Sequence, residues 1–298
     1  MSDKLNFTGE RFTPDCQREI WYEHFHRYVF AQSLVAGKTV LDAACGEGYG
    51  SALLAQTAQS VVGIDLADET IRHAKSTYME QQNLGFMQGD CTALNLEDKS
   101  FDIVVSFETL EHLEQQQSML REFRRVLKDD GLLIISSPDK KTYSDANNVQ
   151  NPFHVKELYR DELESLLSSV FPASKLLGQK LVFHSAIWDM ESGSRAVIQH
   201  MDEHEKARSC ATLPYEPVYY LALCAASPNL LPDVSDKLWL FSDATESVYQ
   251  HYYHEIRKNM AAGGILEDYQ KQIGELQARL ESLEKKPRQG WFSRLLGR

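Results

Sequence analysis

The 298-residue chain is short of cysteine, and the five it has, Cys16, Cys45, Cys91, Cys210 and Cys224, are odd in number and scattered. That pattern offers no disulfide framework and fits a reducing compartment, so cytoplasmic residence is expected. Long apolar runs are missing too. No stretch reaches the roughly 18 apolar residues of a spanning helix, and the opening Met1-Ser2-Asp3-Lys4-Leu5-Asn6 has no apolar signal core. Neither a membrane-integral protein nor one secreted through a signal peptide is expected. Positive charge is scarce as well, with 31 Lys and Arg against 43 Asp and Glu and a formal net charge of −12. A broad nucleic-acid groove needs clustered cations, so extensive nucleic-acid binding is not expected. Hydrophobic residues make up 43% of the chain, enough for the core of one enlarged domain or a domain with an appendage.

What is present is concentrated in Val40-Leu41-Asp42-Ala43-Ala44-Cys45-Gly46-Glu47-Gly48-Tyr49-Gly50. An apolar strand ends in an acid and a glycine-rich turn, where glycines admit positive φ and close backbone approach. The helix start that follows, from Ser51, offers free N–H groups to a ligand. Ser60-Val61-Val62-Gly63-Ile64-Asp65 then reads as a second strand ending in a carboxylate, placed to accept from both hydroxyls of a ribose. The spacing also fits a dinucleotide-binding fold. A pyrophosphate, however, calls for G-x-G-x-x-G directly after the strand, and Asp42 and Glu47 would repel it, whereas an acid beside the turn suits an ammonium or sulfonium.

At these residues the sequence resembles the class I S-adenosylmethionine-dependent methyltransferases. The resemblance implies that Asp42, Ala44, Gly46 and Gly48 hold the methionine part of the donor and that Asp65, followed by Leu66, holds the ribose. Ala44 stands where the family usually has glycine. Phe86-Met87-Gln88-Gly89-Asp90-Cys91 looks like the third-strand segment, which implies that Asp90 and Cys91 face adenine. Phe101 to Ser106 is a mostly apolar run of the kind a doubly covered parallel strand needs, delivering Phe107 and Glu108 to the ligand edge. Gly131 to Pro138 repeats the pattern after a helix over 118–127. The implied fold is α/β, a Rossmann-like doubly wound sheet of seven strands, with S-adenosylmethionine as methyl donor.

Around this core the chain organises as an N-terminal lid segment and helix (1–37, helical from about 15 to 36), a methyltransferase domain (38–228), a helical extension (229–263), a coiled coil (264–286) and an amphipathic tail (287–298). In the lid, Gly9-Glu10-Arg11-Phe12-Thr13-Pro14 and Tyr22-Glu23-His24-Phe25-His26-Arg27-Tyr28 are denser in polar and aromatic groups than packing requires. One arginine, Arg27 or else Arg11 or Arg18, is expected to pair with the methionine carboxylate. After a helix at about 156–169, strands at 176–183 and 217–226 resemble the antiparallel pair that closes the methyltransferase sheet. The insertion between them, 184–216, has the length of an acceptor-selecting connection. Residues 233–260 read as a helix carrying Trp239, Phe241, Tyr249, Tyr252 and Tyr253. Beyond it Leu266, Tyr269, Ile273, Leu276, Leu280 and Leu283 recur in steps of three and four, the seam of an oligomerising coiled coil. Helical spacing sets Trp291, Phe292, Leu295 and Leu296 of the tail along one side, as in a peptide that docks on a membrane surface or a protein groove, with a disordered end as the alternative.

Methyl transfer to a hydroxyl needs an aligned acceptor and a base. Glu108, Glu111 and His112, spaced i, i+3, i+4 after the fourth strand, share a face if that segment is helical, and His154 follows the fifth strand toward the same rim. Glu111, His112 and His154 are thus the candidate catalytic groups. With Glu108 the same set reads equally as a site for Mg²⁺, Mn²⁺ or Zn²⁺. Glu-x-x-Glu-His also resembles the metal motif of small-RNA 2′-O-methyltransferases and some ubiquinone-biosynthetic O-methyltransferases, whereas a purely structural reading has Glu108 capping a helix and His112 packing. The Gly-Glu-Arg-Phe opening resembles methyltransferases of glycan assembly. This implies a saccharide hydroxyl as acceptor, and the coiled coil and amphipathic tail would suit an enzyme tethered at the inner membrane face to a polysaccharide synthesis complex; a small-molecule or quinone acceptor, or a non-catalytic donor-binding scaffold, are the alternatives.

Overall fold

The computed structural model describes residues 19–285 apart from 192, 194 and 202–204. The Gly9 to Pro14 motif, Arg11, Cys16, Arg18 and the terminal peptide 287–298 lie outside the described residues. Contacts divide the chain into two units, Met1–Phe241 and Ser242–Arg298.

Period-two alternation builds the sheet of the first unit. Along β1 (Thr39–Ala43), Val40 packs into one apolar cluster while Leu41 and Ala43 pack into another. After β2 (Ser60–Asp65) and β3 (Leu84–Gln88), β4 (Phe101–Ser106) sends Ile103 and Val105 to the first cluster and Val104 to the second. β5 (Leu127–Pro138) divides Leu132 and Ile134 from Leu133 and Ile135 in the same way. Strands buried on both faces read as such continuous apolar runs. β1 to β5 run parallel in the order β3-β2-β1-β4-β5. β9 (Tyr219–Ala225) then pairs antiparallel with both β5 and β6 (Ala173–Gln179), completing seven strands.

The helices cover both faces. α1 (Glu19–Gln32) and α2 (Tyr49–Ala55) place Tyr28, Phe30, Ala31, Leu54 and Ala55 on one side. α4 (Gln116–Val126) and α5 (Arg160–Ser168) place Met119, Leu120, Phe123, Leu163 and Leu167 on the other, and α3 (Asp68–Thr77) adds Ile71 and Ala74 to a third, smaller cluster. This is the doubly wound α/β sheet expected from the sequence. The order reverses between β1 and β4, which opens a crevice at their carboxyl ends.

Three details differ from the organisation expected from the sequence. The insertion 184–216 contains a hairpin, β7 (Ile198–Met201) with β8 (Ala207–Cys210). Residues 233–246 are not helical; Trp239 and Phe241 pack on α1, with Trp239 at 5.0 Å from Phe30 and Phe241 at 5.7 Å from Trp21, while Leu240 between them is exposed. In the second unit a single helix, α6 (Ser247–Glu284), runs through the boundary drawn at 263 and includes the whole leucine seam. Asp243 starts it, accepting from the N–H and hydroxyl of Ser247. Among the described residues no helix is long and apolar enough to cross a membrane.

Candidate functional site

The crevice begins at the turn between β1 and α2. Gly46 and Gly48 take φ of 57° and 94°, and Ala44 takes 61°, a left-handed conformation that costs an alanine about 1–2 kcal/mol. Gly50 serves differently. It lies inside α2 at an ordinary φ, and a Cβ there would fall 2.0 Å from the ring of Tyr28. Asp65, at the end of β2, holds the turn in place: Oδ2 accepts from the Gly46 N–H at 3.1 Å and Oδ1 from the Ala67 N–H at 2.9 Å. Beside it Leu66 is 68% exposed, an apolar side chain standing open at the rim. Asp90 is exposed and accepts from the N–H and hydroxyl of Thr92, while Cys91 is buried, which pushes its thiol up to about 12. Phe107 lies under the crevice, edge-on to Tyr28 at 5.0 Å.

Asp42 departs from the expectation of a carboxylate offered to the donor. It is fully enclosed and engaged by the protein, accepting from Ser51 Oγ at 2.6 Å and from the Tyr28 hydroxyl at 3.2 Å. It therefore braces α1 and α2 against the turn. Burial raises its pKa to about 7 despite those hydrogen bonds. Glu47 likewise faces inward, accepting from Tyr78 at 3.1 Å with His73 3.4 Å away.

α1 covers one side of the crevice and carries Arg27, 1% exposed. Its Nε donates to Gln179 Oε1 at 2.7 Å, and its guanidinium lies 4.3 Å from the centre of the Tyr219 ring. Glu108 Oε1 is 3.4 Å from Nη1, yet neither terminal nitrogen makes a hydrogen bond among the described residues. A buried guanidinium with its forked end unbonded is a ready receptor for a carboxylate. Near it burial lifts Glu23 to about 7, with the Arg27 charge opposing the rise.

The residues expected on the acceptor side separate into two groups. The segment after β4 forms only a single 3₁₀ turn, Leu110–His112, because the Glu111 carbonyl accepts from the N–H groups of Val155 and Lys156 instead of a following helical turn. Glu108 precedes that turn at φ 51° and is held by Ser136, whose hydroxyl donates to Oε1 at 2.7 Å. It does not share a helical face with Glu111 and His112, contrary to the spacing argument. The docked 151–156 segment instead brings His154 in, and the candidate ligand atoms of Glu111, His112 and His154 lie within 4.8 Å of one another. Glu111 is 1% exposed, and both its oxygens are buried without a hydrogen-bond partner among the described residues. Burial, reinforced by the charge of Glu108, pushes its pKa well above the usual carboxylate range.

The histidines are oriented by neighbours. His112 Nδ1 lies 3.0 Å from the Phe153 carbonyl, which can only accept, so Nδ1 carries the proton and Nε2, 4.0 Å from Glu111 Oε1, is the basic nitrogen of the neutral ring. His154 Nδ1 meets Glu157 at 2.5 Å, and its Nε2 accepts from Asn151 Nδ2 at 2.9 Å. A metal ligand role for His154 therefore requires Asn151 to yield that nitrogen. Tyr143 stacks on His154 at 5.3 Å and stands 5.8 Å from Tyr219. Sequence reasoning missed the bond of the Ser51 hydroxyl to Asp42, and missed Ser136, Tyr143, Gln179 and Tyr219 altogether. The last two come from β6 and β9, and nothing local in their sequence marks them as neighbours of Arg27.

Residues 41–135 match the family model described as a methyltransferase domain. The chain is 37% identical over 186 residues to a probable S-adenosylmethionine-dependent methyltransferase of Mycolicibacterium smegmatis, a match covering 61% of this chain and 70% of that one. A probable S-adenosylmethionine-dependent methyltransferase of Mycobacterium tuberculosis is 39% identical over 166 residues, covering 55% of this chain and only 60% of its own length. Among solved structures, the PH0226 protein from Pyrococcus horikoshii superposes with a TM-score of 0.51 at 20% identity, covering 74% of this chain and 95% of that one, a likeness of fold.

Proposed function

The chain belongs to the S-adenosylmethionine-dependent methyltransferases, and from that premise we propose that it transfers the donor's methyl group to an oxygen, with a saccharide hydroxyl of surface-polysaccharide assembly as acceptor. The observation that carries the oxygen reading is Glu111, a carboxylate buried without a hydrogen-bond partner among the described residues, beside the basic nitrogen of His112. A thioether or an unprotonated amine needs no base, but a hydroxyl acceptor must lose its proton as it attacks. The saccharide reading is supported by the Gly9 to Pro14 motif with Glu23-His24-x-His26-Arg27-Tyr28, and by a rim of aromatic and hydrogen-bonding groups, Tyr143, Tyr219 and His154.

In this reading Asp65, with Leu66 beside it, accepts from the ribose hydroxyls, Asp90 and Cys91 border adenine, and Arg27 receives the methionine carboxylate above Gly46 and Gly48. Asp42 keeps the turn in shape from beneath. The acceptor oxygen forms its bond to the methyl carbon as the carbon–sulfur bond breaks, S-adenosylhomocysteine leaves, and the hydroxyl proton passes to His112 or Glu111. Alignment of the two reacting atoms supplies much of the acceleration.

A second reading, a divalent metal at the acceptor side, is favoured by the convergence of Glu111, His112 and His154. The unpartnered oxygens of Glu111 fit such an ion, which would be held by these three residues and would lower the pKa of an acceptor hydroxyl. Two experiments test the assignment. With isotopically labelled donor and a panel of saccharide acceptors, Glu111→Gln and His112→Ala are expected to bind the donor normally by calorimetry and to lose turnover; wild-type turnover in both removes the acceptor-side assignment, and activity surviving exhaustive chelation removes the metal alone. Asp65→Ala is expected to weaken donor binding by about 1.5–3 kcal/mol, and since Asp65 also holds the turn, Asp65→Asn separates lost ribose contacts from a loosened turn. Unchanged donor affinity in both would withdraw the ribose role.

A further inference from the structure

We propose that Leu266 to Leu283 of α6 forms a parallel two-stranded coiled coil with a second copy of this chain. The inference stands on the second unit alone and is independent of the methyl-transfer reading. Leu266, Ile273 and Leu280 occupy one row of the seam and Tyr269, Leu276 and Leu283 the other, every one of them 54–61% exposed on a helix whose remaining positions there are mostly polar. In heptad terms the first row is a and the second is d.

The flanking positions choose the partner and its direction. The e positions are Gln270, Gln277 and Glu284, and the g positions within the seam are Gln272 and Arg279. In a parallel pair each g residue meets the e residue five positions on in the partner, so Arg279 of one copy faces the second copy's Glu284, twice per dimer, and no like charges meet. In an antiparallel pair Arg279 faces the uncharged Gln272, and this attraction is lost. Ile at a central a position with Leu at two of the three d positions favours two strands. A seam that is complementary to itself in register, in charge and in apolar content fits another copy of the same chain.

The seam is also bounded. At about 100° per residue the apolar stripe of the first part of α6, Tyr249, Tyr253, Ile256 and Met260, is centred roughly 160° around the helix from the Leu266 to Leu283 stripe, and Gly263-Gly264 lies between them. One straight partner helix cannot cover both. The coiled coil therefore begins after the glycine pair, and the tyrosine stripe faces away from it.

Sedimentation equilibrium of the full chain at micromolar concentration is expected to give the mass of a dimer, and Ile273→Glu the mass of a monomer with unchanged donor binding. Leu266→Cys is expected to form an intermolecular disulfide under mild oxidation that the wild-type chain does not form. In an antiparallel pair the two sites would stand about 26 Å apart, the length of the seam. Arg279→Glu should weaken self-association several-fold, and adding Glu284→Arg should restore it. A monomeric or higher-order full chain, an Ile273→Glu dimer, or a Leu266→Cys dimer that does not cross-link overturns the proposal.

Discussion

Replacing Asp42 by Asn is expected to flatten the pH dependence of stability. Asp42 is fully buried, and burial raises its pKa from the ordinary 3.8 to about 7. Because the folded state holds this proton more tightly than the unfolded chain does, stability is full below about pH 4, declines as pH rises, and stops declining above about pH 7. The whole difference spans roughly three pKa units at about 1.4 kcal/mol each, or about 4 kcal/mol. By about pH 5 roughly 1.5–2 kcal/mol of this has already been lost, so about 2–3 kcal/mol remains to be lost between about pH 5 and about pH 8. Asn has no proton to lose, and its carbonyl can still accept from Ser51 and Tyr28. The stability of Asp42→Asn minus that of wild type, from urea unfolding at a series of pH values, should rise by this amount over that interval. Glu23, also lifted to about 7, and Glu111 act equally in both proteins and cancel. Two parallel stability curves would refute the reasoning and place the Asp42 carboxylate among ordinary solvated acids.

Ala44→Val is expected to destabilise the fold by about 1–3 kcal/mol, because a β-branched residue is poorly tolerated at φ 61°. Ala44→Gly should be close to neutral, since relief of strain offsets the lost methyl contacts and the added freedom of the unfolded chain; thermal unfolding of the three proteins tests the order. Gly274→Ala should strengthen α6 by about 1 kcal/mol per chain, as an added Cβ meets nothing within 4 Å and glycine is the weaker helix former. Circular dichroism of the full chain should show a higher melting temperature for the helical transition, and an unchanged one would mean that α6 is not limited by its own propensity.

The sequence by itself determined the sheet and the glycine turn at its crevice. Alternation of apolar residues through Val40, Leu41, Ile103, Val104, Ile134 and Ile135 requires strands covered on both faces, and glycines at 46 and 48 with an acid at 65 mark the crevice, because strand period and left-handed turns are local properties of the chain. The heptad steps from Leu266 to Leu283 are equally local. Tertiary structure decided what each polar group faces. Asp42 looks like a donor ligand in sequence, and only the approach of Tyr28 from α1 encloses it. Glu108 shares a spacing with Glu111 and His112 but not a helix, because residues 151–156 capture the Glu111 carbonyl and substitute His154 as the third member of the cluster. Arg27 meets Gln179 and Tyr219 across some 150 to 190 residues of chain, and no window of sequence contains that encounter. Hydrogen bonding and burial are settled by whichever groups the fold brings within about 3 Å, so the chemistry of a side chain is written in the sequence while its partners are not.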